Sequence, residues 1–368
     1  MKQGTALRCD RDRWQGRSAC ILSNGVVQIS VLLGGGHIAD FHLEQGPAGD
    51  RISPLWVPPW PTIEPHQYRQ KKHPEYGSVI EAKLLSGLAG HSVCLDFFGP
   101  PSPKEAQLGI PEHGEAASRA WRVTGIHRRK RKIALSLAVD LPVAQLAFTR
   151  RIELRVREPI AYFTEVVKNE RSLDHLFHWV QHVTLGPPFL TSNSSTVAIP
   201  GSKALTYPHG YDEGKALLHS EEQFRWPNAR TIGGRAIDLT RPFQKRGKGF
   251  VASVLIDRNR WLGFVSAINQ DSGLMLAYCF RRTDFPWVAV WEENRALSRR
   301  PWKGRTQARG LEFGTTPFPL ERREAFSMGK VFGQSTSTCV EAMAKKMPGI
   351  LHSLRSSQRV SGICAISS

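Results

Sequence analysis

Apolar residues recur at every second position through much of the chain. In residues 25–33, Val27, Ile29, Val31 and Leu33 fall on one face, and Ile133, Leu135, Leu137 and Val139 repeat the pattern. Period two is the signature of a strand buried on one side. Phe148, Ile152, Leu154 and Val156 share a face that Arg150 interrupts, while Thr149, Arg151, Glu153 and Arg155 form the polar face opposite. The alternation resumes over 160–168 after Glu158-Pro159, which predicts two consecutive antiparallel strands. Helical spacing is convincing once, where Val340, Met343, Ala344 and Met347 could share a face before Pro348. The 32 glycines and 24 prolines are scattered as turns rather than massed in a linker. The predicted fold class is therefore mainly β, a sandwich of antiparallel sheets with few short helices. The stretches 56–61 (WVPPWP) and 97–103 (FFGPPSP) cannot be central strands, because proline lacks the ladder donor. They read as long surface connections whose aromatic residues either floor a site or pin the loops down.

No boundary or repeat is visible, so residues 20–350 are expected to form a single domain, with 1–19 and 351–368 as terminal extensions and a frayed end over 361–368. No run approaches the roughly eighteen apolar residues of a spanning helix. The charged N-terminus is followed by no apolar segment. A soluble, cytoplasmic protein without membrane partners is expected, as a monomer or weak dimer. Cys9, Cys20, Cys94, Cys279, Cys339 and Cys364 lie far apart and form no Cys-x-x-Cys pair, which argues against a zinc site or a disulfide scaffold and for free thiols. The net charge of +18 raises a polyanion reading. The one dense basic run, 127–132 (HRRKRK), lies between two strand patterns and reads as a solvated hairpin turn. No nucleic-acid partner is expected, and the excess charge could instead meet phosphorylated sugars.

Three stretches hold the candidate chemistry: 111–115 (PEHGE), 177–182 (FHWVQH) and 310–314 (GLEFG). His178 and His182 are four apart, which on a strand places both on one side. No Glu follows the first His as in a zinc-protease motif, and no metal is assigned. His113 precedes Gly114, which allows a close backbone approach or an unusual dihedral. Glu312, between Leu311 and Phe313, is either outward and solvated or turned into a cleft, where burial raises its pKa toward the useful range for a base. Trp179, Trp287, Trp291 and Trp302 are candidates for stacking on sugar faces, with one or two of them expected at the site and Trp291 assigned to substrate.

The order of these features resembles the aldose 1-epimerase (mutarotase) family and the wider galactose mutarotase-like superfamily. The features are the Asn24-Gly25 strand, the Gly34-Gly35-Gly36 turn, a His-Gly loop followed by Trp121, a second His on a central strand, and a late Leu-Glu. The resemblance covers roughly residues 20–335 and implies a β-supersandwich and an isomerase that interconverts sugar anomers by ring opening, with no cofactor. It implies Glu312 as the general base, His182 as the general acid, and His113 as a residue holding the ring oxygen, with His178 the second choice for the acid. Arg309, three residues before Glu312, is expected from spacing to bond a sugar hydroxyl. The runs 182–188 (HVTLGPP) and 311–316 (LEFGTT) differ from the family's usual His-x-Tyr-Phe-Asn-Leu and Leu-Glu-Pro-Gln. The partner implied is a free or phosphorylated aldose. The competing expectation is a non-catalytic carbohydrate-binding protein on the same fold, and geometry separates the two: an acid and a base must face one cleft.

Overall fold

The alternating segments pair as antiparallel strands. The computed structural model describes residues 7–77, 80–211 and 214–356. Lys132–Leu141, Leu146–Arg155 and Ile160–Asn169 lie side by side in a nine-stranded sheet, with Arg122–Arg129 at its edge. The basic run crosses the two-residue turn between Arg122–Arg129 and Lys132–Leu141, the expected hairpin. A fourteen-stranded sheet holds at its centre Ile38–Leu43, His91–Asp96, His175–Leu185, Gln307–Gly314, Trp287–Asn294 and Lys248–Ile256, in that order.

Side chains one apart on a strand face opposite ways, and this divides the large sheet. Val93, Leu95, Trp179, Val183, Leu311 and Phe313 join Leu135, Phe148, Ile152, Phe163, Tyr278 and Phe280 of the other sheet in one hydrophobic cluster. The even-numbered positions of the strands at 175–185 and 307–314, His182 and Glu312 among them, therefore project from the opposite face.

Arg150 breaks the apolar pattern of its strand without leaving the core. It is fully buried; its Nε donates to Glu165 Oε1 at 2.6 Å, and its outer nitrogens donate to Gly36 O at 3.1 Å and Gln181 Oε1 at 3.3 Å. Gln181 donates in turn to Glu165 Oε2 at 2.6 Å, and the guanidinium lies over the Trp121 ring. A buried ion pair completed this way is tolerated because every charged atom has a partner. Gly36 has φ +64, and a Cβ there would meet Trp121 Cε2 at 2.3 Å, so the glycine turn exists to let this tryptophan close over the core.

One expectation about chain organisation fails. The helix spacing at 340–347 is not a helix: Thr338–Val340 pairs with His175–Leu185, Lys345–Lys346 pairs with Ile160–Asn169, and Met343 between them has φ +55. Sheet pairing satisfies the backbone that a helix would have satisfied, and only Val340 of the supposed apolar stripe is fully buried while Met343 and Met347 are exposed. The short helices lie elsewhere, at Ala82–Leu85, Pro103–Gln107 and Arg322–Ser327. Strand is present on both sides of residues 20–350 as well. Arg8–Trp14 pairs with Arg17–Ser23, and Gly349–Ser356 lies between Leu274–Arg281 and Ile160–Asn169. The stretch 361–368 lies outside the described residues. Among the described residues no helix is long and apolar enough to cross a membrane.

Candidate functional site

His182 and Glu312 are direct cross-strand partners on the two central strands, in register with Ser92 and Ala289 on either side. Directly opposite residues of an antiparallel pair point to the same face with their Cβ atoms about 5 Å apart. The side chains meet, with His182 Nε2 3.2 Å from Glu312 Oε1. Both are buried. Burial pushes the Glu312 carboxyl up to about 8 and the His182 imidazole down to about 4.

Glu312 is seated by a glycine. A Cβ on Gly310, two residues earlier on the same face, would lie 2.2 Å from Glu312 Oε1. The carboxylate therefore lies back over the strand, beside His182. His182 Nδ1 is 3.2 Å from Thr184 Oγ1, which orients the ring.

His113 arrives from a loop. Its φ of +62 is an uncommon left-handed conformation for a residue with a side chain. Gly114 follows with φ +84, where a Cβ would meet Leu95 O at 2.1 Å, so the loop presses directly on the adjacent strand. The Gly99 N–H donates to His113 Nδ1 at 3.0 Å, which leaves Nε2 carrying the hydrogen. The His113 ring stacks on Phe98 and lies 5.4 Å from the His182 ring, centroid to centroid. Burial holds His113 neutral, well below the ordinary histidine range.

These groups line a cavity of about 920 Å³, at the upper end of small-molecule sites. Trp291 and Trp302 form one wall. The Trp291 ring lies 6.2 Å from that of His182, and its Nε1 donates to Tyr211 Oη at 3.1 Å. Trp179 and Trp287 are core residues instead, so two of the four candidate tryptophans reach the site. Of the proline-rich stretches, 97–103 contributes Phe98, whereas Trp56 and Trp60 are buried behind the wall against Trp302. Glu112, beside His113, also faces the cavity, and its carboxyl is pushed up to about 8, by burial first and then by the charge of Glu81. Glu81 itself holds Arg299 at 2.9 Å at the same cavity. Adjacency to His113 was the one signal for Glu112; nothing in the sequence pointed to Glu81 or Arg299.

Two assigned residues do not line the cavity. His178 shares a face with His182, but four residues of strand separate them by about 13 Å. It is sealed in beneath Phe326 of the Arg322–Ser327 helix. Arg309 is an odd number of residues from Glu312 and so projects from the other face. It is fully buried, paired with Glu292, and donates to Leu239 O and Arg241 O. Among the described residues no three His, Cys, Asp or Glu side chains converge as a metal site.

Comparison of the whole structure with solved ones gives consistent neighbours in fold. A provisionally named aldose 1-epimerase from Klebsiella pneumoniae matches with a TM-score of 0.67 over 94% of this chain and 82% of its own, at 14% identity. A galactose mutarotase-like protein from Clostridium acetobutylicum matches with a TM-score of 0.62 over 95% and 99%, at 13% identity. The chain has the galactose mutarotase-like fold. A galactose mutarotase related enzyme from Lactobacillus acidophilus, at 10% identity and a TM-score of 0.56, covers 94% of this chain with 100% of its own. No family model matches the sequence, and no curated protein is detectably similar to it. In the galactose mutarotase-like fold as this chain builds it, the paired His182 and Glu312 lie at the centre of the larger sheet, on the face turned away from the core.

Proposed function

We propose that the cavity binds a neutral aldose and interconverts its anomers by acid–base ring opening. The observation that supports this reading most is the 3.2 Å contact between His182 and Glu312 inside an aromatic-walled cavity. Ring opening takes one proton from the C1 hydroxyl and gives one to the ring oxygen, as the bond from C1 to that oxygen breaks and the C1 carbonyl forms. No proton is gained or lost overall, so the reaction needs a pair that holds one proton between two groups. Burial leaves the shared proton resting on Glu312; its transfer to His182 gives the ion-pair form, in which the Glu312 carboxylate removes the C1 proton and the His182 imidazolium protonates the ring oxygen. The pair is left as carboxylic acid and neutral imidazole. Rotation about C1–C2 and reclosure in the reverse sense release the other anomer and regenerate the ion pair, whose proton returns to Glu312. The neutral His113 Nε2–H is a donor suited to holding the ring oxygen, and Trp291 offers an aromatic face to the sugar's C–H face.

The charges lining the cavity favour a neutral sugar over a phosphorylated one. Among the described residues, the only arginine or lysine lining it is Arg299, already paired with Glu81. His209 is paired with Glu324 at 2.6 Å. A phosphate would find, among the described residues, no unpaired arginine or lysine to offset its charge, and burial that already pushes the Glu112 and Glu312 carboxyls up would oppose a further anion.

The test is saturation-transfer NMR of anomeric exchange over a panel of neutral aldoses, with wild type beside Glu312→Gln. Loss of exchange in the variant, with sugar affinity kept within about tenfold, is the expected result, because the substitution removes the base and keeps the shape. Exchange at the wild-type rate in Glu312→Gln overturns the mechanism. Line broadening without exchange in the wild type moves the protein to sugar binding without turnover.

A further inference from the structure

A second cavity, of about 700 Å³, lies at the far end of the larger sheet, between the hairpin of Asn228–Arg230 with Ala236–Asp238 and the loop at 241–248. Its lining contrasts with that of the first. Arg235, Arg241, Lys245 and Lys248 surround it, and among the described residues none of the four is in a salt bridge. Lys248 Nζ donates to the Ala216 carbonyl, which leaves its charge uncompensated. The one acidic residue among the described residues that line it, Asp238, has Oδ1 occupied by the backbone N–H and hydroxyl of Thr240. The floor is apolar, with Leu217 buried and Phe243 half-buried.

The loop that presents these cations is held from behind. Buried Arg309 donates to the carbonyls of Leu239 and Arg241. Its partner Glu292 accepts the Phe243 N–H through the other carboxylate oxygen. Asn294 Nδ2 donates to the carbonyls of Phe243 and Lys245. Three side chains of the Trp287–Asn294 and Gln307–Gly314 strands thus capture the loop backbone at alternate residues. The Arg241 and Lys245 side chains are left facing the cavity. A buried Arg–Glu pair is costly to build, and here the pair holds a basic loop in one shape, which is the preorganisation a binding site requires.

We infer that this second cavity binds a small ligand bearing a phosphate or sulfate ester, with the oxyanion among Arg235, Arg241, Lys245 and Lys248 and the organic body on the apolar floor. The inference stands apart from the epimerase reading, since it uses no residue of the first cavity. The experiment is isothermal titration of the full chain with inorganic phosphate, glucose 6-phosphate and a sugar sulfate, at low and at raised salt. Wild type, Arg235→Gln/Lys245→Gln and Glu312→Gln are compared. Both residues of the double variant are exposed and contribute no buried side chain, so folding is retained and is checked by thermal melting.

Binding by wild type and Glu312→Gln, weakened by salt and at least about tenfold weaker in the double variant, supports the site. Which ester binds more tightly identifies the source of the oxyanion. Should the double variant not fold, Lys248→Met carries the same expectation. No binding by the wild type, binding unchanged in the basic-residue variants, or binding lost in Glu312→Gln overturns the inference; the last result would place the anion in the first cavity.

Discussion

Gly310→Ala tests the geometry of the acid–base pair without touching either member. The added Cβ would lie 2.2 Å from Glu312 Oε1 and 3.2 Å from Trp291 Cβ, so the methyl group has no room to move sideways. Ordinary contact begins near 3.4 Å, and the carboxylate must retreat by about 1.2 Å to reach it. A retreat directed away from His182 stretches the contact, now 3.2 Å, to about 4.4 Å, past the range of a hydrogen bond. A displacement of this size at reacting groups costs on the order of a hundredfold in rate, or about 2.7 kcal/mol of transition-state stabilisation. The expected outcome is a fall of about that size in anomeric exchange measured by saturation-transfer NMR. The affinity for the sugar, read by titration, should change by less than about threefold, because the cavity walls stay in place. If Gly310→Ala exchanges anomers within about threefold of the wild type while Glu312→Gln is inactive, the carboxylate does not depend on this seat, and the reasoning from geometry to rate fails.

The pH dependence follows from the pair holding one proton in total. Below about 4 His182 and Glu312 are both protonated and no base remains; above about 8 both are deprotonated and no acid remains. The rate constant kcat/KM should therefore form a bell with limbs near these values, and an alkaline limb absent below pH 10 would contradict the pairing. His178→Ala should leave exchange within about threefold of wild type, since His178 lies under Phe326 and away from the cavity. A large loss of rate in a folded His178 variant would restore it as the acid. Arg309→Met leaves Glu292 buried without its ion-pair partner, and chemical denaturation should show a loss of about 3–5 kcal/mol with anomeric exchange by the folded protein retained. A melting curve identical to wild type would show that the pair does not brace the fold.

Much of the architecture was legible because strands buried on one side carry their period openly. The alternation from Ile133 to Val139 and from Phe148 to Leu154 appeared as paired strands of one sheet. The break at Arg150 could not be interpreted from its own strand, because its partners Glu165, Gln181 and Gly36 arrive from three other segments. At 340–347 four apolar residues fitted a helical stripe, but a stripe that short does not separate a helix from two brief strands joined by a turn. The site was legible as far as its residue types. His178 and His182 share a face, and the preference for His182 rested on the family resemblance alone until the register with Gln307–Gly314 placed it opposite Glu312. Arg309 could have been rejected from sequence, since a residue three before Glu312 on a strand must point the other way, whereas Gly310 shares its face. Glu81 and Arg299 come together across more than two hundred residues and left no local trace.

The meeting of His182 and Glu312 is fixed by main-chain hydrogen bonds between neighbouring strands, not by a recognisable string of letters around either residue. A site specified this way places few demands on the letters around it: apart from Gly310, which leaves room for the carboxylate, the strand register rather than neighbouring residue identity sets the 3.2 Å contact. What cannot drift is the count of residues along each strand, because a slip of one position turns His182 or Glu312 into the core and brings a hydrophobic neighbour outward. Insertions and deletions, rather than substitutions, are the mutations that such a lineage must purge from these two strands. Comparison by letter alone loses sight of such a pairing while the two strands still hold it.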